Sequence, residues 1–307
     1  MSTIRDSVAQ LYTPIYDRFL LQTFNEVTQV HPQVFNVIDD KTKEWKFDGL
    51  SGLGEWVDAT EASGGGQEDP VLGYVKTLTQ SKKWKKLQVS YEAVDQDEYA
   101  ILSKEKDAKA IGRGARARVE RNAASILYDG FSTAGADGQY LWDSDHPKNR
   151  EETGVTYDNL LSGALSHDNL ETAETEIATN FLDPKGIPIE PSENPILLYP
   201  PALRGTVARL FSDRANEQPD TTLRNINRFA GQYRPVEWRY LMAGLGGSNT
   251  AWYIIYPELE LLVLVWSARP HFTSWTDDDL ELYNFKGRML YDVGACDWRC
   301  GFGSTGV

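Results

Sequence analysis

Three groups of residues in this chain have the types that chemistry or recognition requires. The first is "WDSDHP", Trp142 to Pro147, where Asp143, Asp145 and His146 offer two carboxylates and an imidazole. Such a set could hold a divalent metal and serve a metal-dependent hydrolase. A metal needs further ligands, and His31, His167 and His271 stand at no matching spacing. Asp and Ser ahead of "HP" are also ordinary turn residues, so no metal is expected. The second group is Cys296 and Cys300 in "GACDWRCGF". Their gap is not that of a redox or zinc motif, and two free thiols are the expectation. No "GxSxG" nucleophile turn occurs. The glycines of "AIGRGARAR" lack the Lys-Ser/Thr that ends a phosphate loop, and "GLGGSN", Gly244 to Asn249, reads as a turn between strands. No catalytic constellation and no cofactor are expected.

The third group is the basic stretch "VKTLTQSKKWKKLQVSYEAV", which carries Lys76, Lys82, Lys83, Lys85 and Lys86 around Trp84. A solvated strand face is the plainest explanation. A nucleic-acid contact is a second, with Trp84 stacking on a base. Five lysines in a chain of net charge -14 leave a weak footprint for that. The third is a docking surface for acids of another copy. "LSGLGEWVDATEASGGGQEDP", just upstream, supplies Glu55, Asp58, Glu61, Glu68 and Asp69 with no basic residue. A single exposed pair is worth only ~0.2–1 kcal/mol. Repeated over many subunits, such pairs set register and orientation. Docking is therefore the favoured reading, with Lys82, Lys83, Trp84, Lys85 and Lys86 as inter-subunit contacts.

The elements that must position these residues follow from length and pattern. The chain has 307 residues, 41% apolar, enough for a sizeable core. Its 9 Trp and 15 Tyr suit both cores and protein contacts. Net acidity argues against a protein whose task is to grip DNA. No stretch reaches the roughly 18 apolar residues that span a bilayer. "MSTIRDSVAQ" lacks a signal peptide's basic start and apolar core, so a soluble protein, intracellular at synthesis and without membrane contact, is expected.

Residues 2–27 read as an amphipathic arm with Val8, Leu11, Ile15 and Phe19 at helical spacing and a break at Pro14. Residues 28–73 look irregular, with a hinge at Gly64 to Gly66. "YVKTLT" and the alternation of Leu87, Val89, Tyr91 and Ala93 predict two strands joined through "QSKK" into a long hairpin. Asp95 to Phe131 contains no proline and predicts one long helix, with Tyr99, Leu102, Ala110, Ala117, Ala124 and Leu127 as its apolar stripe. Small residues there, Ala110, Gly114 and Ala117, would let another backbone come close. A shorter helix is expected over 166–180, capped by Ser166, with Leu170, Ala173, Ile177 and Ala178 on its apolar side. "PILLYP", "PVEWRYL", "AWYIIYP" and "ELELLVLVWSARP" predict strands. In "ELYNFKGRMLYDVGACDWR", Tyr283, Phe285, Met289, Tyr291 and Val293 share one side of an alternating pattern. The class is α+β, with an arm and a hairpin that project to reach neighbours.

This order of parts resembles a tailed-phage major capsid protein of the Hong Kong 97-type fold, most like the Mu-type major head subunit. The residues that carry the resemblance are "DGQYLWDSDHP", "LSHDNLETAETEIATNFLDPKGIPIEPSENPILLYPPALRGTVARLF", "AWYIIYPELELLVLVWSARPHF" and "YNFKGRMLYDVGACDWRCGFG". The resemblance implies an N-terminal arm over residues 1–50, lying along a neighbour, and an extended loop over 51–95. It implies a peripheral domain with the spine helix over 96–159, an axial domain over 160–245, and strands returning to the peripheral domain over 246–307. The axial loop near 212–232 would point to the capsomer centre. The implied function is a structural subunit, not an enzyme, that assembles through pentamers and hexamers into an icosahedral shell around double-stranded DNA. A separate scaffolding protein, a portal and a decoration protein are implied partners. The implied location is the virion capsid, after synthesis in the host cytoplasm. The alternatives are an encapsulin-like compartment for enzyme cargo and, from another class, the hydrolase built on Asp143, Asp145 and His146.

Overall fold

The expected long helix is present as α1, Ala100–Tyr128, in a computed structural model that describes residues 14, 17–56, 58, 69–92, 100–190, 195–211 and 229–307. The arm residues Val8, Leu11 and Ile15, and the two candidate caps Asp95 and Asp97, lie outside the described residues. The buried stripe of α1 runs through Ala108, Ile111, Val119, Ala123, Ala124 and Leu127. Ala110 is exposed and Ala117 half-buried, contrary to the expected stripe. A strict seven-residue step drifts around a straight helix of 3.6 residues per turn, so it does not hold one face.

Residues 17–25 are helical and lie against α1. A Cβ at Gly112 would stand 2.8 Å from the Leu20 carbonyl oxygen, so the close approach depends on that glycine. Arg116 donates to the Thr23 carbonyl at 3.1 Å, and Leu20 and Phe24 are buried. This part of the arm covers its own chain.

Two sheets flank α1. The four-stranded sheet has the order β1-β9-β10-β4. Its members are β1, Asn36–Asp39; β4, Ser81–Ser90; β9, Leu262–Asp277; and β10, Leu282–Ala295. β1 runs parallel to β9, whereas the β9–β10 and β10–β4 pairs are antiparallel. Tyr283, Phe285, Met289, Tyr291 and Val293 share the buried side of β10, as their alternation predicts. Pro270 sits where the β9–β10 register shifts, a place where a missing N–H does least harm. On β9, Leu264 and Trp266 join the α1 core, while Val263 and Val265 enter a smaller cluster with Leu78 and Cys296.

The five-stranded sheet has the order β7-β6-β8-β11-β5. Its members are β5, Leu160–Leu161; β6, Ile196–Tyr199; β7, Arg234–Glu237; β8, Trp252–Ile255; and β11, Gly301–Ser304. Ile196, Leu198, Tyr253 and Ile255 face the α1 core. The alternate residues Leu197, Trp252, Ile254 and Phe302 face helix α2, His167–Asn180. Ser166 caps α2 by accepting from the Asn169 amide, and Leu170, Ala173 and Ile177 are its buried residues; Ala178 is exposed. The segment 246–307, expected as return strands of one domain, is therefore divided: β8 and β11 belong to this sheet and β9 and β10 to the other.

The expected hairpin is corrected. β3, Lys76–Thr79, and β4 are separated by Gln80 alone, too short a gap to reverse the chain. β3 pairs instead with β2, Glu44–Phe47, and the ladder resumes between Ser51–Gly52 and Val71–Leu72. The real hairpin thus has arms 44–52 and 71–79, and β4 lies in the four-stranded sheet. Its base is anchored where Leu78 meets Gly294, at which a Cβ would clash.

Candidate inter-subunit surface

All of Lys82, Lys83, Trp84, Lys85 and Lys86 fall inside β4, not in a turn. β4 is an edge strand, and its partner β10 sets Lys86 opposite Lys286, Lys85 opposite Gly287 and Trp84 opposite Arg288. Alternation sends Lys83, Lys85, Leu87 and Val89 to one face, where Leu87 and Val89 pack against the cluster of Leu20, Ile111 and Phe285. Lys82, Trp84 and Lys86 take the other. There the Lys286 ammonium lies 4.8 Å from the Trp84 ring centre and the Lys86 ammonium 5.2 Å from that of Trp275. Both rings remain substantially exposed. These are cation–π distances, so the tryptophans hold the ammonium groups in place without neutralising them.

Charge on this surface is unbalanced. Among the described residues no ion pair involves Lys82, Lys83, Lys85, Lys86, Lys286 or Arg288. Lys83 donates to Ser81 and lies over the ring of Tyr291, whose phenol burial pushes up to about 12 and so keeps neutral. Partial desolvation first, and then the neighbouring Lys82 and Arg288, hold Lys286 below the usual lysine range. The Arg288 Nε is buried with no hydrogen-bond partner. Between β4 and α1 lies a cavity of about 440 Å³. Leu20, Ile111, Ala115 and Met289 contribute its apolar lining and Lys83, Lys85 and Arg118 its cations.

The described part of the acidic segment lies beyond the hairpin ladder. Beyond the ladder at Ser51–Gly52, Leu53, Glu55, Trp56 and Asp58 are exposed, and Trp56 is fully so. Asp69 is exposed on the returning arm. Glu61 and Glu68 lie outside the described residues.

Asp143, Asp145 and His146 do not form a metal set. His146 is buried, with Nδ1 2.6 Å from Asp137 and Nε2 3.1 Å from the Asn159 carbonyl oxygen. The Asn159 orientation is fixed because its amide nitrogen donates to Leu141 and Trp298 carbonyls. Both imidazole nitrogens therefore face acceptor oxygens, and the ring stacks on Trp298 at 4.6 Å. Asp143 instead accepts from the Tyr140 and Ser144 amides, and no metal-holding cluster exists among the described residues. Cys296 and Cys300 are unbridged and buried; burial pushes the Cys296 thiol up to about 12 and raises Cys300 further from reactivity.

One buried group had no sequence signal. Glu120 on α1 accepts from the Val30 amide at 3.0 Å, from His31 Nδ1 at 2.8 Å and from Trp238 Nε1 at 2.7 Å. It ties the segment after the arm, α1 and the start of the turn after β7 into one joint. In the sequence it is one acid among many on a charged helix. Only its place on the buried stripe next to Val119 could have marked it.

A family model described as phage capsid protein matches residues 74–303. The mature capsid of bacteriophage PhiM1 superposes with a TM-score of 0.56 at 11% identity, covering 91% of this chain and 87% of that one. The capsid of Ralstonia phage GP4 gives 0.54 at 13% identity, over 88% and 85%. A virus-like particle from Pyrococcus furiosus gives 0.53 at 10% identity, over 95% and 99%. A search of curated protein sequences finds no match.

Proposed function

The chain belongs to the phage capsid protein family and is a structural subunit, not an enzyme; on that premise we propose that its copies close into an icosahedral shell around double-stranded DNA in the virion. Pentamers and hexamers are the units of such a shell. In this reading the hairpin 44–79 is the extended loop that overlaps an adjacent subunit. The arm, expected over 1–50, then stops at residue 43, while 96–159 form the peripheral domain with its spine helix and 160–245 most of the axial domain. Synthesis in the host cytoplasm, a separate scaffolding protein, a portal and a decoration protein complete the assembly.

The observation that supports the reading is the cationic β4, whose lysines form no ion pair among the described residues, together with exposed Glu55, Trp56 and Asp58 beyond the hairpin ladder. Like copies of net charge -14 repel unless local charge is complementary, and these two surfaces supply the complement. Lys82, Lys83, Trp84, Lys85 and Lys86 are accordingly the proposed contact. Reversing Lys82, Lys83, Lys85 and Lys86 to Glu tests it. The variant is expected to keep the thermal midpoint of the unassembled subunit and to lose particles in electron micrographs. Normal particles from it would remove the docking role.

A further inference from the structure

We propose that the cavity between α1 and β4 is the receptor for Trp56 of a second copy, with Glu55 and Asp58 beside that ring pairing with the cations that line the cavity. The inference rests on the reading of this chain as a shell subunit and names the segment that β4 receives.

The cavity has the chemistry of an acidic aromatic site. Its floor is aliphatic, from Leu20, Ile111, Ala115 and Met289, and its volume of about 440 Å³ is ample for an indole with its flanking backbone. Lys83, Lys85 and Arg118 line it without a carboxylate, and Arg288, also in its wall, has a buried Nε that lacks a partner. An unpaired buried donor of this kind is costly, and an incoming acceptor relieves it. Arginine and lysine also favour an aromatic face over an aliphatic one.

The ligand is equally incomplete. Trp56 is fully exposed at the end of the hairpin, so its own chain provides no site for it. Buried tryptophans framed by charge are the usual anchors of protein contacts. Glu55 and Asp58 bracket the ring within three residues and are opposite in charge to the cations that line the cavity. The other acidic turn, Asp277 to Glu281, offers Leu280 but no aromatic. One of its acids, Asp278, already accepts from Tyr91 at 2.8 Å. It is the weaker candidate.

Gly114 makes the proposal testable. It opens on the cavity, and a Cβ there would meet nothing within 4 Å. Gly114→Leu sends a side chain toward the site from a position where its Cβ meets nothing within 4 Å, and Trp56→Ala removes the anchor from a fully exposed position. Both variants are expected to fold with an unchanged or higher thermal midpoint and to lose shells. A chain carrying Glu55→Cys and Gly114→Cys, which retains Trp56, is expected to give dimers and higher multiples on a denaturing gel after a short bismaleimide. The two native thiols are buried and silent. Intact shells from Gly114→Leu, or shells of the double-cysteine chain with no cross-link between copies, would overturn the proposal and give the cavity to the 277–281 turn or to residues before Pro14. If the unmodified protein forms no shell, the reading as a shell subunit fails. The cross-link between copies in concentrated solution then still decides the contact.

Discussion

The two sheets obey the same alternation yet finish differently. In the five-stranded sheet both faces are closed by the chain itself, α1 on one side and α2 on the other. The four-stranded sheet is closed around Leu264 and Val265, and again where Phe285, Leu87 and Val89 meet Leu20 and Ile111. Between these two closed parts, at Lys82–Lys86 of β4, it gives way to ammonium groups, exposed tryptophans and an open cavity. A chain that buries one sheet so thoroughly has the apolar residues to close the other. In the proposed assembly this open stretch receives another copy, and its charge opposes that of the subunit as a whole.

The largest test of this contrast falls on the closed side. Glu120→Ala strands the His31 and Trp238 donors inside the core and is expected to cost about 3–5 kcal/mol in denaturant unfolding of the unassembled subunit. A loss below about 1 kcal/mol, the scale of an exposed pair, would mean that this joint is not closed to water. Next, Phe302→Ala in β11 is expected to cost about 3–5 kcal/mol, whereas Trp84→Ala in β4 stays within about 0.5 kcal/mol. Equal costs at the two sites would erase the difference between the sheets. The sharpest comparison is the smallest, on one turn of α1. Gly114→Ala is expected to stabilise by about 1 kcal/mol, because helix propensity improves in open space. Gly112→Ala is expected to destabilise by about 1–3 kcal/mol, because the new methyl meets the Leu20 carbonyl. Matching signs would contradict the cavity beside Gly114.

The closed side was legible in the sequence and much of the open side was not. Ser166 and the Leu170, Ala173, Ile177 spacing located α2, and the alternation from Tyr283 to Val293 located β10, because both bury one face against their own chain. Strand pattern is legible on both sides of Gln80, but "QSKK", expected as the join, lies mostly inside β4, and the expected pairing does not form. Alternation says which face is buried and nothing about which strand lies alongside, and β3 and β4 find partners about 30 and about 200 residues away. β1 and β11 went unseen because "NVID" and "GFGS" are short, and a two-sided burial or a glycine strand leaves little period to read. Of the candidate surface, the lysines and the upstream acids stood out as charge. The cavity did not, since Gly114, Arg118 and Met289 meet Lys83 only through the fold.

The central claim is that a second copy completes the cationic face of β4. Electron microscopy of particles assembled from the purified protein, at a resolution that shows side chains, tests it most directly. The expected reconstruction is a closed shell in which carboxylates of an adjacent subunit lie within ~4 Å of at least two of Lys82, Lys83, Lys85 and Lys86. A shell whose β4 lysines face only solvent would contradict the claim, as would a protein that stays a 34.6 kDa monomer under every assembly condition.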